Sequence, residues 1–176
     1  VYTSSWALSG LPTDWSHGTF SDNRWYQFSV QSIDRANNTE TYTVYTATYD
    51  VRPGTASISM PNQPIVSALP SIFGTAVDSV YGSPGLANVE IALGRTGEWY
   101  NFSNNTWNPV GSPIWNPVDS YDSITGNWSK ATTAPGIYTN LTQYEVRVRA
   151  VDKAGNLQNP QVCRLPALST ARTRTS

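Results

Sequence analysis

Two segments of the chain alternate apolar and polar positions in the same order. Tyr26, Phe28, Val30 and Ser32 are every second residue of one; Tyr144, Val146, Val148 and Ala150, 118 positions later, are every second residue of the other. Alternate side chains of an extended backbone point to opposite faces, so a period of two predicts a strand with one face buried. Both runs end in a turn of the same kind: Asp34-Arg35-Ala36-Asn37-Asn38 and Asp152-Lys153-Ala154-Gly155-Asn156. Asn or Gly in the fourth place tolerates the positive φ that a tight reversal needs. The chain is therefore read as a repeat array whose unit includes a strand and an Asx-type turn.

Further strands follow from the same rule. Residues 40–49 are rich in Thr, Tyr and Val and place Tyr42, Val44, Thr46 and Thr48 on one face, which predicts a partner strand for the first run. Asp50-Val51-Arg52-Pro53-Gly54 reads as a short connector between domains. Beyond it, strands are predicted at 55–60, 72–77 and 87–93, the last with Val89, Ile91 and Leu93 sharing a face. Residues 94–137 carry Trp99, Trp107, Trp115 and Trp128 among Asn, Pro, Gly and Ser, and predict short strands with long connections. Residues 162–165 suggest a short strand that Pro166 interrupts, and residues 171–176 read as a polar tail. No window has apolar residues at helical spacing, and 12 Gly and 12 Pro punctuate the 176 residues. The expected class is all-β.

A repeat spacing of this length matches one β-sandwich domain of about 100 residues. Residues 1–50 are thus expected to be the C-terminal half of one domain, 51–160 a nearly complete second one, and 161–176 a poorly matching last strand with its tail. Two strands alone bury too little apolar surface to offset chain entropy. The first half-domain is expected to be completed by another copy of the chain, by β-augmentation, or by adjoining repeats of a longer one.

Composition narrows the partners. Charged residues are 13% of the chain, about half the usual ~25%, and 14 Asn with 40 Ser or Thr supply the polar surface instead. A net charge of −1 offers no basic footprint for nucleic acid. No apolar run of about 18 residues predicts membrane insertion, and an export signal, if the chain is secreted, is expected upstream. Cys163 is the sole cysteine, which excludes an internal disulfide and a multi-cysteine zinc site.

The segments around 72–78 (Ile-Phe-Gly-Thr-Ala-Val-Asp), 89–93 (Val-Glu-Ile-Ala-Leu) and 144–156, the last ending Arg-Ala-Val-Asp-Lys-Ala-Gly-Asn, together resemble the bacterial immunoglobulin-like repeats of large secreted and cell-surface proteins. The resemblance covers residues 55–160, with 25–50 as the tail of a preceding repeat. It implies an immunoglobulin-like β-sandwich used as spacer, stalk, adhesive module or filament building block, located outside the cell or on its surface. Asn37-Asn38 stand where the family has Gly-Asn, and the stretch after Asn159 departs from it.

Candidate chemistry is sparse. Trp99, Trp107, Trp115 and Trp128 are candidates for stacking on sugar rings, which makes a carbohydrate-binding module of a secreted polysaccharide-active protein the alternative reading; the competing one is that the indoles cover the core. Asp34, Asp50 and Asp152, with Asp78, sit at turns or connectors and are weak Ca²⁺ candidates, although their spacing matches no calcium loop. The favoured reading of Asp34 and Asp152 is that they cap their own turns. Asn37, Asn101, Asn104, Asn127 and Asn140 each begin an Asn-x-Ser/Thr triplet and are candidate glycan acceptors, in a composition where such triplets arise often by chance. His17 is the only histidine and has no Ser or Cys motif near it, so nucleophilic catalysis lacks its base. No enzyme and no catalytic residue are expected, and no cofactor beyond the Ca²⁺ candidate.

Overall fold

The structure, a computed structural model, describes residues 21–22, 24–60, 69–78, 84–139 and 141–165. Two compact units divide the chain between Val51 and Arg52. Every described element is a strand.

In the first unit, β1 (Arg24–Val30) pairs antiparallel with β2 (Thr43–Tyr49), with Phe28 opposite Tyr45. Residues directly opposite in an antiparallel pair share a face. Tyr26, Phe28 and Val30 therefore lie beside Ala47, Tyr45 and Thr43, while Val44, Thr46 and Thr48 lie with Ser29, Gln27 and Trp25. Tyr26, Phe28 and Val30 are half-buried among the described residues, whereas Trp25 is 70% exposed.

The second unit is a sandwich. Its smaller sheet has the order β3 (Thr55–Met60), β4 (Ser71–Val77), β10 (Asn127–Ala131), β9 (Ser120–Tyr121). The larger has the order β12 (Gln161–Leu165), β11 (Tyr144–Asp152), β5 (Leu86–Arg95), β6 (Glu98–Asn101), β7 (Thr106–Asn108), with β8 (Asn116–Pro117) also on β5. All pairings are antiparallel. One core joins the sheets: Ala56, Ile72, Ala76 and Trp128 from the first meet Val89, Ile91, Leu93, Val146 and Val148 from the second. A first, second and fifth main strand facing a third, sixth and seventh is the immunoglobulin-like arrangement. The short last strand begins at Gln161 and lies on the edge of the larger sheet, where Cys163 opposite Val146 and Leu165 opposite Tyr144 turn inward.

Two devices fix the layers. Trp128, 2% exposed, lies opposite Gly74, and its indole N–H donates to the carbonyl of Ser57 at 3.1 Å. A Cβ on Gly74 would come within 1.8 Å of that carbonyl oxygen and 2.7 Å of the indole. The indole thus occupies the space that the missing side chain leaves. The second device is Gln158. Its Oε1 accepts the N–H of Ala56 (2.6 Å) and of Ala150 (3.0 Å), while its Nε2 donates to the carbonyl of Ala56 (3.1 Å). Gln161 Oε1 accepts the N–H of Ile58 at 2.7 Å. These two amides tie the free edge of β3 to the opposite sheet, satisfying backbone groups that would otherwise be left unpaired.

The repeat holds bond by bond. Asp152 Oδ1 accepts the N–H of Asn156 at 2.8 Å, and Asp34 Oδ1 that of Asn38 at 2.9 Å. Asp152 Oδ2 takes Asn156 Nδ2 at 2.8 Å, and Asp34 Oδ2 takes Asn38 Nδ2 at 2.7 Å. The positive φ falls on Gly155 (90°) and on Asn37 (66°), so Asn occupies the place of Gly. The N–H of Gln158 reaches Ala150 O and that of Glu40 reaches Ser32 O, both at 3.1 Å. Upstream, the Tyr144 hydroxyl accepts the N–H of Thr139 and the Tyr26 hydroxyl that of Ser21, both at 2.5 Å and both five residues back. A tyrosine whose hydroxyl returns to the backbone before its strand marks a corner of immunoglobulin-like sandwiches. Only the burial differs, since Tyr144, Val146, Val148 and Ala150 are at most 2% exposed.

Replacing Gly74 by Ala is expected to destabilise the second unit by about 1–3 kcal/mol, because a rigid carbonyl blocks the methyl group. Gly111→Ala, with nothing within 4 Å of its Cβ, should change stability by no more than about 0.5 kcal/mol. Tyr144→Phe should cost about 0.5–1.5 kcal/mol by removing the hydrogen bond to the Thr139 N–H. Urea unfolding followed by tryptophan fluorescence checks all three, and equal midpoints for Gly74→Ala and Gly111→Ala would contradict the seating of Trp128.

Candidate functional site

The outward positions of β11 are Glu145, Arg147 and Arg149, because Tyr144, Val146, Val148 and Ala150 face the core. Across the sheet they stand opposite Gly94, Ala92 and Glu90 of β5. Glycine and alanine leave a trough there. Trp99, opposite Gly94 on the other side, lies over it, with ring atoms 2.8–3.0 Å from where a Gly94 Cβ would be. The guanidinium carbon of Arg147 sits over this indole, 4.9 Å from the ring centroid.

A second stack lies on the same face. Arg149 holds its guanidinium carbon 4.1 Å over the Trp115 ring and donates from Nε to Glu90 at 2.6 Å. Trp115 is placed by its buried neighbour Asn116, whose Oδ1 accepts the N–H of Phe102 (3.2 Å) while its Nδ2 donates to the carbonyls of Ile114 (2.9 Å) and Tyr100 (3.3 Å). Glu145 completes the pattern: one oxygen accepts Arg147 Nε, and the other is 3.5 Å from Nε of Arg164 on β12. Each guanidinium–indole stack contributes about 0.5–2 kcal/mol, more than an exposed ion pair alone. Gly94, Gly97, Trp99, Glu145, Arg147 and Arg164 line a shallow concavity of about 610 Å³.

Of the four candidate indoles, then, Trp99 and Trp115 share this face. Trp107 turns inward, its ring 5.1 Å from Tyr100 and 5.8 Å from Tyr144, under the guanidinium of Arg95 at 4.3 Å. Its Nε1 is buried without a hydrogen-bond partner. Trp128 is in the core, where no sugar ring can reach it. The arginines that sort the indoles were not singled out in the sequence, although Glu145-x-Arg147-x-Arg149 marks the polar side of the strand.

The carboxylates divide differently. Asp34 and Asp152 both cap their own turns, as described. Asp34 is held below the usual carboxylate range, first by the Asn38 side chain and then by the Asn38 and Ala36 N–H groups. Asp50 is buried at the end of the first unit. Asp78 brings a carboxylate oxygen within 4.8 Å of one of Asp152, and Asp78 Oδ2 is buried without a hydrogen-bond partner. Asp152 and Asp78 are thus the members of the Ca²⁺ candidate set that the second unit brings together.

Among the candidate glycan acceptors, Asn37, Asn104 and Asn127 are exposed and Asn101 is half-buried. The Asn104 Oδ1 accepts the hydroxyl of Thr106, two residues on, at 2.7 Å. Asn140 and His17 lie outside the described residues. Cys163 is half-buried, and burial raises its thiol pKa, which disfavours the reactive thiolate. Burial likewise pushes the Tyr138 hydroxyl far above its ordinary value. Neither group is tuned for acid–base chemistry near neutral pH.

No family model matches the chain, and no curated protein matches it. Among solved structures, the FN1–FN3 domains of chicken CNTN1 align with 81% of this chain at 13% identity and a TM-score of 0.32. The alignment spans 44% of that neighbour, less than half its length. The fold assignment rests on the strand order and the shared core given above.

A further ion pair belongs to the smaller sheet. Lys130, 8% exposed, donates to Asp119 Oδ1 at 2.6 Å, and the N–H of Ala131 donates to Oδ2 at 2.7 Å. Burial alone would raise the Asp119 pKa, but these two donors outweigh it and hold the pKa below 3.8. A depressed pKa in the folded state adds stability that is complete above the unfolded value and is lost as pH falls through the folded one. Stability is therefore expected to be flat from neutral pH down to about 5 and to fall below about 4. Asp119→Asn should shallow that acid limb in thermal melts, and an unchanged slope would remove Asp119 from the account.

Proposed function

We propose that the chain is a non-enzymatic immunoglobulin-like module with a structural or adhesive role, a building block of a stalk or filament outside a prokaryotic cell or on its surface. The observation that carries this reading is the recurrence of the tyrosine corner, the strand and the Asp turn in both units at one constant spacing. A spacer grows by such repetition, each unit contributing a sandwich with its own core.

The hairpin of the first unit suggests how modules join. Tyr26, Phe28 and Val30 correspond to Tyr144, Val146 and Val148, which a second sheet covers completely. By the same chemistry the hairpin face calls for strands resembling β3, β4 and β10. Copies of the chain, or adjoining repeats of a longer one, would supply them, and a head-to-tail contact of that kind propagates as a fibre unless it closes.

A second reading, that of a carbohydrate-binding module, is favoured by one observation: Trp99 and Trp115 share an outer face instead of entering the core. Electron microscopy of the native material at low concentration tests the first reading. Regular fibres, or elongated stalks with a constant axial repeat, are expected; compact monodisperse particles would overturn the filament and stalk reading.

A further inference from the structure

We infer that the concavity between Trp99 and Arg164 binds an anionic saccharide, one that carries carboxylate or sulfate groups on its sugar rings. This rests on the carbohydrate-binding reading and adds the charge of the ligand and the residue that selects it.

The charges around the concavity are unequal in availability. Glu145 faces two arginines: one oxygen is committed to Arg147 Nε, and the other is shared with Arg164 only across 3.5 Å. Arg95 is balanced by Glu98 at 2.6 Å. Among the described residues one guanidinium is therefore in excess, and it belongs to Arg164, whose side chain is 84% exposed. A guanidinium fork matches a carboxylate or sulfate oxygen pair in geometry and charge. The excess is local, since the whole chain has a net charge of −1. General basicity does not account for it.

The other walls suit a sugar. Trp99 is fixed between Gly94 and the Arg147 guanidinium and is half-buried, so the exposed part of its indole offers an apolar wall against which the C–H edge of a pyranose can rest. Thr96 and Gln143 at the rim offer neutral donors and acceptors for hydroxyl groups. Arg147, already held by Glu145 and by the indole, supplies a rigid edge. Preorganisation of this kind lowers the ordering cost of binding.

Affinity electrophoresis of the full chain tests the inference, with polygalacturonate, dextran sulfate or neutral dextran cast into the gel. Retardation by one or both acidic polymers, weakened by salt, is expected, and the more effective polymer identifies the anionic group. Arg164→Gln should weaken that retardation about tenfold, a loss of roughly one charge-assisted contact. Trp99→Phe, which keeps a ring over Gly94, should weaken it less. Arg35→Gln, an exposed substitution in the first unit with the same change in net charge, should leave it unchanged. Equal losses in Arg164→Gln and Arg35→Gln would overturn the site in favour of non-specific attraction. Retardation by neutral dextran that matches the acidic polymers and ignores Arg164→Gln would overturn the anionic selectivity while leaving a saccharide reading in place. No retardation in any gel would sink both.

Discussion

β11 is occupied on every side, and the rest of the second unit follows from that. Its two edges are paired, with β5 and with β12, and its inward residues are sealed by the opposite sheet. Its outward residues are engaged by Glu90, Trp99 and Trp115. A slip of one residue would send Val146 and Val148 to solvent and bury Arg147 and Arg149, an exchange of about 1.5–3 kcal/mol per apolar side chain plus the far larger cost of burying charge. Register is therefore fixed by both faces at once. The Asp152 turn and the Tyr144 corner hold the two ends of the same strand, so the element with the strictest register also has the best-defined ends.

What could be read from the residues was whatever the strand period encodes locally. Alternation at 144–151 and at 26–32 located both central strands, and Asp with Asn four residues on located both turns, because all the interacting atoms lie within five residues. The tryptophans were not legible. Asn127-Trp128-Ser129 looks no more buried than Trp115-Asn116-Pro117, yet one indole fills the core and the other lies outside. The difference is made by Gly74 opposite Trp128 and by Arg149 opposite Trp115, residues separated from their partners by more than thirty positions. The face of β2 was illegible for a related reason. Both sides of residues 40–49 are rich in Tyr, Val and Thr, and only the register with β1 puts Tyr45 and Ala47 beside Phe28 and Tyr26.

The two copies of the repeat separate local from tertiary causes. The turn bonds and the corner bond agree to within about 0.2 Å between units, although Tyr144 is buried and its counterpart Tyr26 only half so. Those bonds therefore do not need the surrounding core. The Asn37 backbone illustrates the limit of that independence: a non-glycine residue at φ 66° carries a small conformational cost, which the three bonds to Asp34 from Ala36 and Asn38 offset.

Charge distribution gives the outer face of the larger sheet its meaning. The chain has only 11 basic and 12 acidic residues, and its surface is kept wet mainly by Ser, Thr and Asn. Five of those charges nonetheless gather on one patch: Glu90, Glu145, Arg147, Arg149 and Arg164. Solubility does not require the concentration, since neutral polar groups serve elsewhere. The sheet itself gains from the patch, about 0.5–2 kcal/mol from each guanidinium–indole stack, although Thr or Val would also suit the pleat. What charges arranged over indoles do provide, and neutral residues do not, is a stiff row of guanidinium groups at fixed strand spacing, one of them without a full counter-charge. A face of that kind supports its own sheet and also suits the anionic ligand inferred for it.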